Sequence, residues 1–505
     1  MKKLAAIVFF LTLVKVQGQN LPIQQLDEMT ERHWQLGLSL LQEIVAIPND
    51  AAKAEQIEPN IQWTENQFTQ RGWQTMRLKT EGVPLLLVQK EQQGAEKTVL
   101  FYFHMDGQAI DSSKWDQANP YQGVLKKQNG NGSWDSLPLS LLHKEYDSEW
   151  RIFARSTSDD KGPVAMFLTG WDAISEAGLS PNYSIKIIFD FEEEQGSPNL
   201  PAAVIKHQKD LKADLMLIMD GPRHISNEPT LTYGARGISE MTLTTYGPRV
   251  PQHSGHYGNY APNPALMLSQ LLASMKDENG RVSIPGFYDG INLSEEEMAI
   301  LNAVPDDETT IKRKIGIART DQVGNSYQES IQYPSLNIRG MSSAWVGPEA
   351  RTIVPATAVA ELDMRLVPES DPIRLFELIE THIKNQGFYI IDREPTEEER
   401  QIHPKILSMK KSISYQAFRT PMDSEAGAWL RKAMKRAFEK EPVQIRISGG
   451  SIPISPFVDA LGIPAVTIPT VNADNNQHSP NENIRLGNYK EGIKTIISVL
   501  TEPLN

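Results

Sequence analysis

The chain has 505 residues and contains no cysteine. At roughly 150 residues per domain, this length predicts about three structural units, and 22% charged with 8% aromatic residues is ordinary for a folded protein. The absence of cysteine excludes a disulfide scaffold, a Cys-ligated zinc site, an iron–sulfur cluster and a cysteine nucleophile. Any metal ion in this protein must therefore be held by His, Asp and Glu.

The charge balance is acidic, with 50 Lys and Arg against 63 Asp and Glu and a net charge of −13. A net-acidic chain without basic clusters is a poor candidate for binding nucleic acid or an anionic membrane surface. We therefore expect neither kind of partner.

The first residues predict a secretory signal peptide. Two lysines follow Met1, an apolar run of 11 residues extends from Leu4 to Val14, and small or medium-sized residues precede Gln19. We expect cleavage after Gly18, which makes residues 1–18 the signal. The apolar run is too short to span a membrane, and no other stretch approaches the necessary length. These features predict a soluble protein that is secreted or periplasmic.

Beyond the signal, buried strands alternate with amphipathic helices. A helical pattern covers residues 27–48. Short apolar runs predict strands at Leu85–Val88, Val99–Phe103, Ile185–Phe191, Leu215–Met219 and Ala465–Ile468. Helical patterns lie between them at Pro163–Ala177, Pro201–His207 and Glu425–Lys440. This alternation predicts an α/β catalytic domain of three layers around a mixed sheet.

The stretch from residue 230 to residue 392 has a different pattern. The run Val359–Leu366 alternates apolar and polar residues, as a half-exposed strand does, and helical patterns lie at Pro264–Met275 and Asp371–Asn385. Strands and helices in separate blocks indicate a smaller α+β domain inserted into the larger one. The predicted organisation is a catalytic domain in two parts, 19–229 and 393–505, with an inserted lid or dimerisation domain at 230–392.

Polar residues follow the predicted strands. His104 and Asp106 come after the second strand, Glu193 and Glu194 after the third, and Asp220 after the fourth. His478 follows the last strand in the next loop, and Asp159 and Asp160 precede the helix that starts near Pro163. The carboxyl ends of strands in an open α/β sheet converge on one crevice, so we expect these side chains to lie together.

A cluster of carboxylates at close range is costly because like charges repel. One or two divalent cations remove that cost, and His with carboxylates suits zinc and is acceptable to manganese or cobalt. Each feature alone has a structural explanation, such as a helix start rich in Glu, an Asp-Gly-Pro turn or an Asp helix cap. Their conjunction at strand ends favours a metal site, in which a carboxylate that binds no metal would move the proton of the attacking water.

These residues resemble the di-zinc peptidase family of carnosinases, nonspecific dipeptidases, carboxypeptidase G, aminoacylase, acetylornithine deacetylase and succinyl-diaminopimelate desuccinylase. The resemblance covers residues from about 30 to 500 and rests on five motifs in the family's order. They are His104-x-Asp106, Ser158-Asp159-Asp160-Lys161-Gly162-Pro163, Glu193-Glu194-Gln195-Gly196-Ser197, Asp220 and His478-Ser479-x-Asn481-Glu482. The sequences of the second motif and of Gly449-Gly450-Ser451-Ile452-Pro453 most resemble those of the carnosinase and dipeptidase branch.

The resemblance implies roles for the site residues. Asp159 would bridge two metal ions, His104 and Asp220 would complete one site, and Glu194 and His478 the other. Glu193 would be the general base and acid, and Asp106 would orient the His104 ring. The resemblance also implies a cis peptide bond between Asp159 and Asp160.

The inserted segment carries further matching residues. His253 lies in a loop that, in dimeric relatives, places a His over the partner subunit's substrate, where it steadies the oxyanion. Thr352, Arg365 and Ser451 match residues that contact the substrate, the last two near its terminal carboxylate. A guanidinium suits a carboxylate by bidentate geometry, although a strand-end salt bridge is an alternative explanation for Arg365.

The sequence thus predicts a two-metal amide hydrolase, zinc being the expected metal, that acts on short peptides as a dipeptidase or carboxypeptidase. A deacylase of N-acyl amino acids with the same site is the first alternative, and a non-catalytic metal-binding relative is the second. A homodimer formed through the inserted domain is expected, since His253 must reach a site that its own domain does not approach.

Overall fold

A computed structural model describes residues 20–450 and 452–505, so the predicted signal peptide and Ser451 lie outside the described residues. An eight-stranded mixed sheet forms the centre of the larger unit. Its strands, in spatial order, are β1 (Gln74–Leu78), β2 (Leu85–Lys90), β7 (Ser184–Asp190), β3 (Thr98–His104), β8 (Leu215–Ile218), β20 (Ala465–Thr467), β9 (Thr230–Thr232) and β19 (Val443–Ile445). Strands β7, β3, β8 and β20 are parallel neighbours.

Both faces of this sheet are buried, which explains why its strands are continuous apolar runs. In β3, Phe101 and Phe103 pack into one core, whereas Leu100 and Tyr102 pack into another. The helices on the first face are α1 (Ile23–Val45), α2 (Ala54–Gln70), α3 (Lys161–Glu176), α13 (Glu425–Phe438) and α15 (Leu486–Thr501). Those on the second face are α4 (Leu200–Lys206), α5 (Gln208–Leu211) and α14 (Ser455–Leu461). The predicted three-layer α/β architecture is confirmed.

A four-stranded antiparallel sheet lies beside this core. Its strands are, in order, β21 (Asn483–Arg485), β6 (Arg151–Phe153), β4 (Val124–Gln128) and β5 (Trp134–Leu137). The pairing of β21 with β6 aligns Asn483 with Phe153. This register brings the segment before α3 next to the segment that follows β20, although more than 300 residues separate them in sequence.

A five-stranded sheet with its own core forms the smaller unit. Its strands are, in order, β13 (Asn337–Ser342), β15 (Thr357–Leu366), β11 (Gly237–Tyr246), β17 (Ile406–Tyr415) and β16 (Tyr389–Ile391). Helices α7 (Pro264–Met275) and α11 (Pro372–Asn385) pack on one face, where Leu268 and Ile379 join Leu362 in one cluster. Buried and partly buried residues alternate along β15, as a strand with one covered face requires.

The limits of the inserted unit that follow from strand pairing differ from those that the sequence pattern predicts. Thr230–Thr232 pairs within the eight-stranded sheet, and Ile406–Tyr415 pairs within the five-stranded sheet. We therefore propose that the inserted unit extends from about residue 237 to about residue 415, rather than over 230–392, with the catalytic unit on either side.

The remaining elements are short. Strand β10 (Gly234–Ala235) pairs with β18 (Phe418–Arg419), and β12 (Gln252–His253) pairs with β14 (Ile353–Val354). The other helices are α6 (Ser254–Tyr257), α8 (Glu295–Asn302), α9 (Glu308–Ile315), α10 (Tyr327–Ser330) and α12 (Glu397–Ile402), with 3-10 turns at Ser112–Lys114, Leu139–His143, Glu193–Gln195 and Gly347–Glu349. None of the helices within the described residues is both long enough and apolar enough to cross a membrane.

Candidate active site

Three of the site's segments follow adjacent parallel strands. His104 is the last residue of β3, Glu193 and Glu194 lie in the turn after β7, and Asp220 comes two residues after β8. Because the carboxyl ends of parallel strands meet at one edge of a sheet, these side chains share one crevice. The sequence prediction that strand ends gather them agrees with this arrangement.

The four-stranded sheet positions two further residues of the site. Asp159 precedes α3 and His478 precedes β21, and the pairing of β6 with β21 brings both segments to the same crevice. The peptide bond between Asp159 and Asp160 is cis, as the resemblance implied.

The gathered side chains form two groups that each suit a metal ion. His104, Asp159 and Asp220 make one group, and Asp159, Glu194 and His478 make the other, with all ligand atoms of a group within 4.8 Å of one another. His104 Nε2 lies 2.8 Å from Asp159 Oδ1, and His478 Nε2 lies 3.0 Å from Asp159 Oδ2. Asp159 therefore presents one oxygen to each group, which is the arrangement of a carboxylate that bridges two metal ions.

The electrostatics of the crevice call for positive charge. Burial, together with the negative charge of Asp159, raises the pKa of Glu194 to about 7 and that of Asp220 to about 6. Burial opposes ionisation of Asp159 too, but hydrogen bonds from His104 and His478 hold its pKa well below the ordinary value. Imidazole and carboxylate are donors that zinc, manganese and cobalt accept, so the residues present fit two divalent cations.

The histidine ligand candidates differ in exposure and support. The side chain of His104 is fully buried, and its Nδ1 faces Asp106 Oδ1 at 3.4 Å. Asp106 also accepts a hydrogen bond from the backbone N–H of Glu194 (2.9 Å), so one carboxylate contacts segments of both groups. This is the arrangement of an outer carboxylate that fixes the ring of a metal-binding His. His478 is 53% exposed and lies 3.2 Å from Glu194 Oε2.

Glu193 lies beside these groups and belongs to neither of them. Burial raises the pKa of Glu193 well above its ordinary value, His104 opposes the shift, and the charges of Asp220 and Asp159 add to it. A carboxyl group with a raised pKa both accepts and returns a proton more readily near neutral pH. Its position and electrostatics suit the general base and acid that the resemblance implied.

A buried carboxylate holds the bridging loop in place, and its role was not predicted from the sequence. Glu482 Oε1 accepts the backbone N–H groups of Ser158 (3.0 Å) and Asp159 (3.1 Å). Its Oε2 accepts the N–H of Ser156 (2.9 Å) and the guanidinium of Arg155 (2.8 Å). Glu482 ends the motif that begins at His478, and only that position in the motif could have indicated its importance.

The predicted substrate residues in the inserted unit contact other residues of that unit. His253 and Thr352 are neighbours, since β12 pairs with β14 and the N–H of Ser254 donates to the Thr352 carbonyl at 2.9 Å. Both residues are exposed. Arg365 lies at the end of β15, where its Nε is 3.8 Å from Asp363. Ser451 is outside the described residues.

A cavity of about 590 Å³ lies at the segment that follows Asp220. Pro222, two residues beyond Asp220, lines it together with Tyr327 and the Gly449–Gly450 loop. Two residues span at most about 7 Å of chain, so the cavity lies within reach of a small substrate bound at the cluster. Its volume is in the range of small-molecule sites.

The chain matches known proteins along most of its length. Residues 100–502 match Peptidase family M20/M25/M40. The Cys-Gly metallodipeptidase DUG1 of Candida albicans is 26% identical over 95% of this chain and 96% of its own length. The Beta-Ala-His dipeptidase of Homo sapiens is 26% identical over 83% of this chain and 77% of its own length.

A solved structure shows the same architecture. The M20 family metallo-carboxypeptidase Sso-CP2 from Sulfolobus solfataricus superposes with a TM-score of 0.75 at 27% identity, covering 92% of this chain and 98% of that one. This chain belongs to Peptidase family M20/M25/M40. It is a hydrolase of the metallopeptidase class, which confirms the predicted family, fold and enzyme class.

The shared position of Asp159 predicts an asymmetry in metal content. Asp159→Ala removes an oxygen from each group and is expected to abolish binding of both ions. His478→Ala is expected to leave about one ion, because the group of His104, Asp159 and Asp220 stays complete. Metal per chain, measured by plasma emission spectrometry after dialysis, checks this. Exposed His143 gives the control, since His143→Ala should retain two ions, and equal losses in the two site variants would contradict a bridging Asp159.

Glu482→Gln is expected to lower the free energy of unfolding by about 3–5 kcal/mol, because it breaks a buried ion pair and turns an amide N–H₂ toward backbone donors. Glu149→Gln is the control: Glu149 pairs with Arg485 at the surface, and its loss should cost less than about 1 kcal/mol. Denaturant unfolding gives both values. Equal values for the two variants would show that Glu482 does not hold the loop.

Proposed function

We propose that this protein is a dipeptidase that hydrolyses its substrate with the help of two divalent metal ions. The observation that carries the proposal is the pair of ligand groups joined at Asp159, with the carboxyl of Glu193 beside both. The chain resembles two dipeptidases over most of its length, which favours dipeptides over N-acyl amino acids as substrates. Zinc is the proposed metal, with manganese and cobalt as alternatives.

Each group of residues has a task in the proposed reaction. When bound, the two cations polarise the scissile carbonyl and make water a stronger nucleophile. His104, Asp159 and Asp220 would hold one cation, and Asp159, Glu194 and His478 the other. Glu193 accepts the proton of the attacking water on its carboxylate and then donates it to the leaving nitrogen. Asp106 keeps the His104 ring in orientation throughout.

The other substrate contacts come from the inserted unit and the loop around Ser451. His253 would donate a hydrogen bond to the carbonyl oxygen as negative charge develops there. Thr352 would contact the substrate, and Arg365 and Ser451 would bind its terminal carboxylate, since a guanidinium forms paired hydrogen bonds with a carboxylate.

We also propose a homodimer formed through the inserted unit. His253 and Thr352 are exposed together on that unit, which suits residues that act in a partner's crevice. Strand β13 is an edge of the five-stranded sheet and exposes Ile338 and Met341, with Val346 86% exposed nearby. An exposed edge strand with apolar side chains favours pairing with another chain.

We further propose that this protein is located outside the cytoplasm, on the basis of its N-terminal residues. Two lysines, an apolar run of 11 residues and a small residue at Gly18 support a cleaved signal and a location outside the cytoplasm.

The proposed activity predicts turnover of dipeptides such as Cys-Gly and β-Ala-His, and much slower turnover of N-acetyl amino acids. In Glu193→Gln, kcat should fall by about 10²- to 10⁴-fold because no carboxylate takes the proton, while two metal ions per chain remain. Steady-state kinetics with metal analysis measures both quantities.

The run of three glutamates supplies a matched control. Glu192 accepts a hydrogen bond from Asn199 (2.9 Å) and belongs to neither metal group, so Glu192→Gln should keep its activity. Turnover of N-acetyl amino acids alone would sink the dipeptidase proposal in favour of a deacylase. A Glu193→Gln variant with unchanged activity would show that Glu193 is not the base.

The dimer predicts complementation between two inactive variants. His253→Ala is expected to lose about 10²- to 10³-fold in kcat. Glu193→Gln is expected to be nearly inactive because it lacks the carboxylate that accepts the proton of water. Co-expressed, they form mixed dimers in which one crevice has both Glu193 and the partner's His253, so activity should recover to about a quarter of wild type. Absence of recovery in dimers shown to be mixed would contradict action across the interface. His256→Ala, two residues from the loop's start at Ser254, should stay active alone.

A further inference from the structure

Arg236 is a buried arginine at the junction of the two units. It lies between β10, which ends at Ala235, and β11, which begins at Gly237. Its side chain is buried, with 7% of the residue exposed. The backbone N–H of Arg236 donates to the carbonyl of Gly450 at 3.3 Å, so this arginine is anchored directly to the loop that precedes Ser451.

The guanidinium of Arg236 has unused hydrogen-bonding capacity. Its Nη2 donates to the carbonyls of Tyr333 (2.7 Å) and Arg365 (3.4 Å). The buried Nε–H has no acceptor, and among the described residues no carboxylate lies within 4.0 Å of the guanidinium. A buried charge normally has a partner of opposite sign. Two other buried arginines have such a partner: Arg155 pairs with Glu482, and Arg446 pairs with Glu297.

The surroundings of Arg236 repel its charge rather than balance it. Burial and the positive charge of Arg365 together lower the pKa of Arg236 to about 10, whereas Tyr327 and Asp363 oppose the shift. Arg365 itself is partly exposed and has Asp363 at 3.8 Å. The charge of Arg236 is thus repelled by the neighbouring Arg365 guanidinium, and Asp363 offsets only part of that repulsion.

The same corner borders the cavity that Pro222 lines. Gly449, Gly450 and Tyr327 line that cavity, and a Cβ on Gly449 would lie 3.4 Å from the Tyr327 hydroxyl. The cavity thus extends from Pro222, near Asp220, to the loop that Arg236 contacts. Two residues that line the cavity also interact with Arg236, since Gly450 accepts its backbone N–H and Tyr327 acts on its charge.

We propose that Arg236 is a second carboxylate-binding guanidinium of the active site, which receives the substrate's carboxylate together with Arg365. The inference rests on the proposed function, and it goes beyond it by assigning to Arg236 the discrimination between substrates with and without a free carboxylate. Because Nη2 of Arg236 is held by carbonyls of the inserted unit while its backbone is held by Gly450, a bound carboxylate would also link the two units.

The test compares a neutral dipeptide with the same dipeptide as its C-terminal amide. Wild type should prefer the acid in kcat/KM. Arg236→Met should lower kcat/KM for the acid by roughly 10- to 100-fold, mainly through KM, as expected for the loss of hydrogen bonds to a charged group. Its kcat/KM for the amide should stay within about threefold of wild type. Arg236→Lys keeps the charge without the paired geometry and should retain an intermediate preference for the acid.

A structural role for Arg236 would lower the acid and amide rates by the same factor, and that result would overturn the proposal, as would an unchanged preference for the acid. Arg446 gives the matched control, because it is equally buried but paired with Glu297 and Gln332. Arg446→Met should leave the ratio of acid to amide rates at the wild-type value. If Arg236→Met does not fold, Arg236→Lys and Arg236→Gln measure the same ratio.

A third substrate distinguishes the source of the carboxylate. A dipeptide amide with Glu as its second residue has a side-chain carboxylate but no terminal one. Arg236-dependent turnover of this substrate would support the carboxylate site with a side chain as its ligand, whereas slow, Arg236-independent turnover would support the terminal carboxylate. If wild type hydrolyses no dipeptide, the proposed function fails, and an N-acetyl amino acid and its amide then measure the dependence on Arg236 in the same way.

Discussion

Repulsion among the carboxylates of Asp159, Glu194 and Asp220 is the constraint on which the rest of this structure depends. Three parallel strands and one long-range strand pair converge to bring these groups together. Such a cluster is stable only with positive charge between its members. The loop that carries Asp159 must also be held rigidly, and Glu482 does this through four hydrogen bonds from Arg155, Ser156, Ser158 and Asp159. A second buried charge thus supports the first.

The two ends of the Asp159 loop are fixed in different ways. Glu482 holds its beginning from the β21 side. At its end, Nζ of Lys161 donates to the carbonyls of Ile44 (3.0 Å) and Ile47 (2.6 Å) at the C-terminus of α1. The bridging carboxylate is therefore positioned by contacts with the N-terminal helix and the C-terminal strand at once. The position of the Asp159 carboxylate thus depends on segments from both ends of the catalytic unit.

Much of the fold and site could be predicted because their signals are local. Apolar runs located β2, β3, β7, β8 and β20, and the polar residues immediately after them identified His104, Glu193, Glu194 and Asp220. The limits of the inserted unit have no local signal, because Thr230–Thr232 and Ile406–Tyr415 are ordinary strand segments whose sheet is decided by distant partners. The contacts of Glu482 and the lack of a carboxylate beside Arg236 also depend on packing between distant segments, which no local pattern records.

The order of the ligand residues along the chain has a consequence for biosynthesis. His104 is made early, but His478 and β20 come near the end, and α15 then covers α3 and α1. A nascent chain on the ribosome lacks the second metal group and the Glu482 contacts until almost all of it has been synthesised. A chain that ends before His478 therefore lacks one of the two ligand groups, however well its first strands fold.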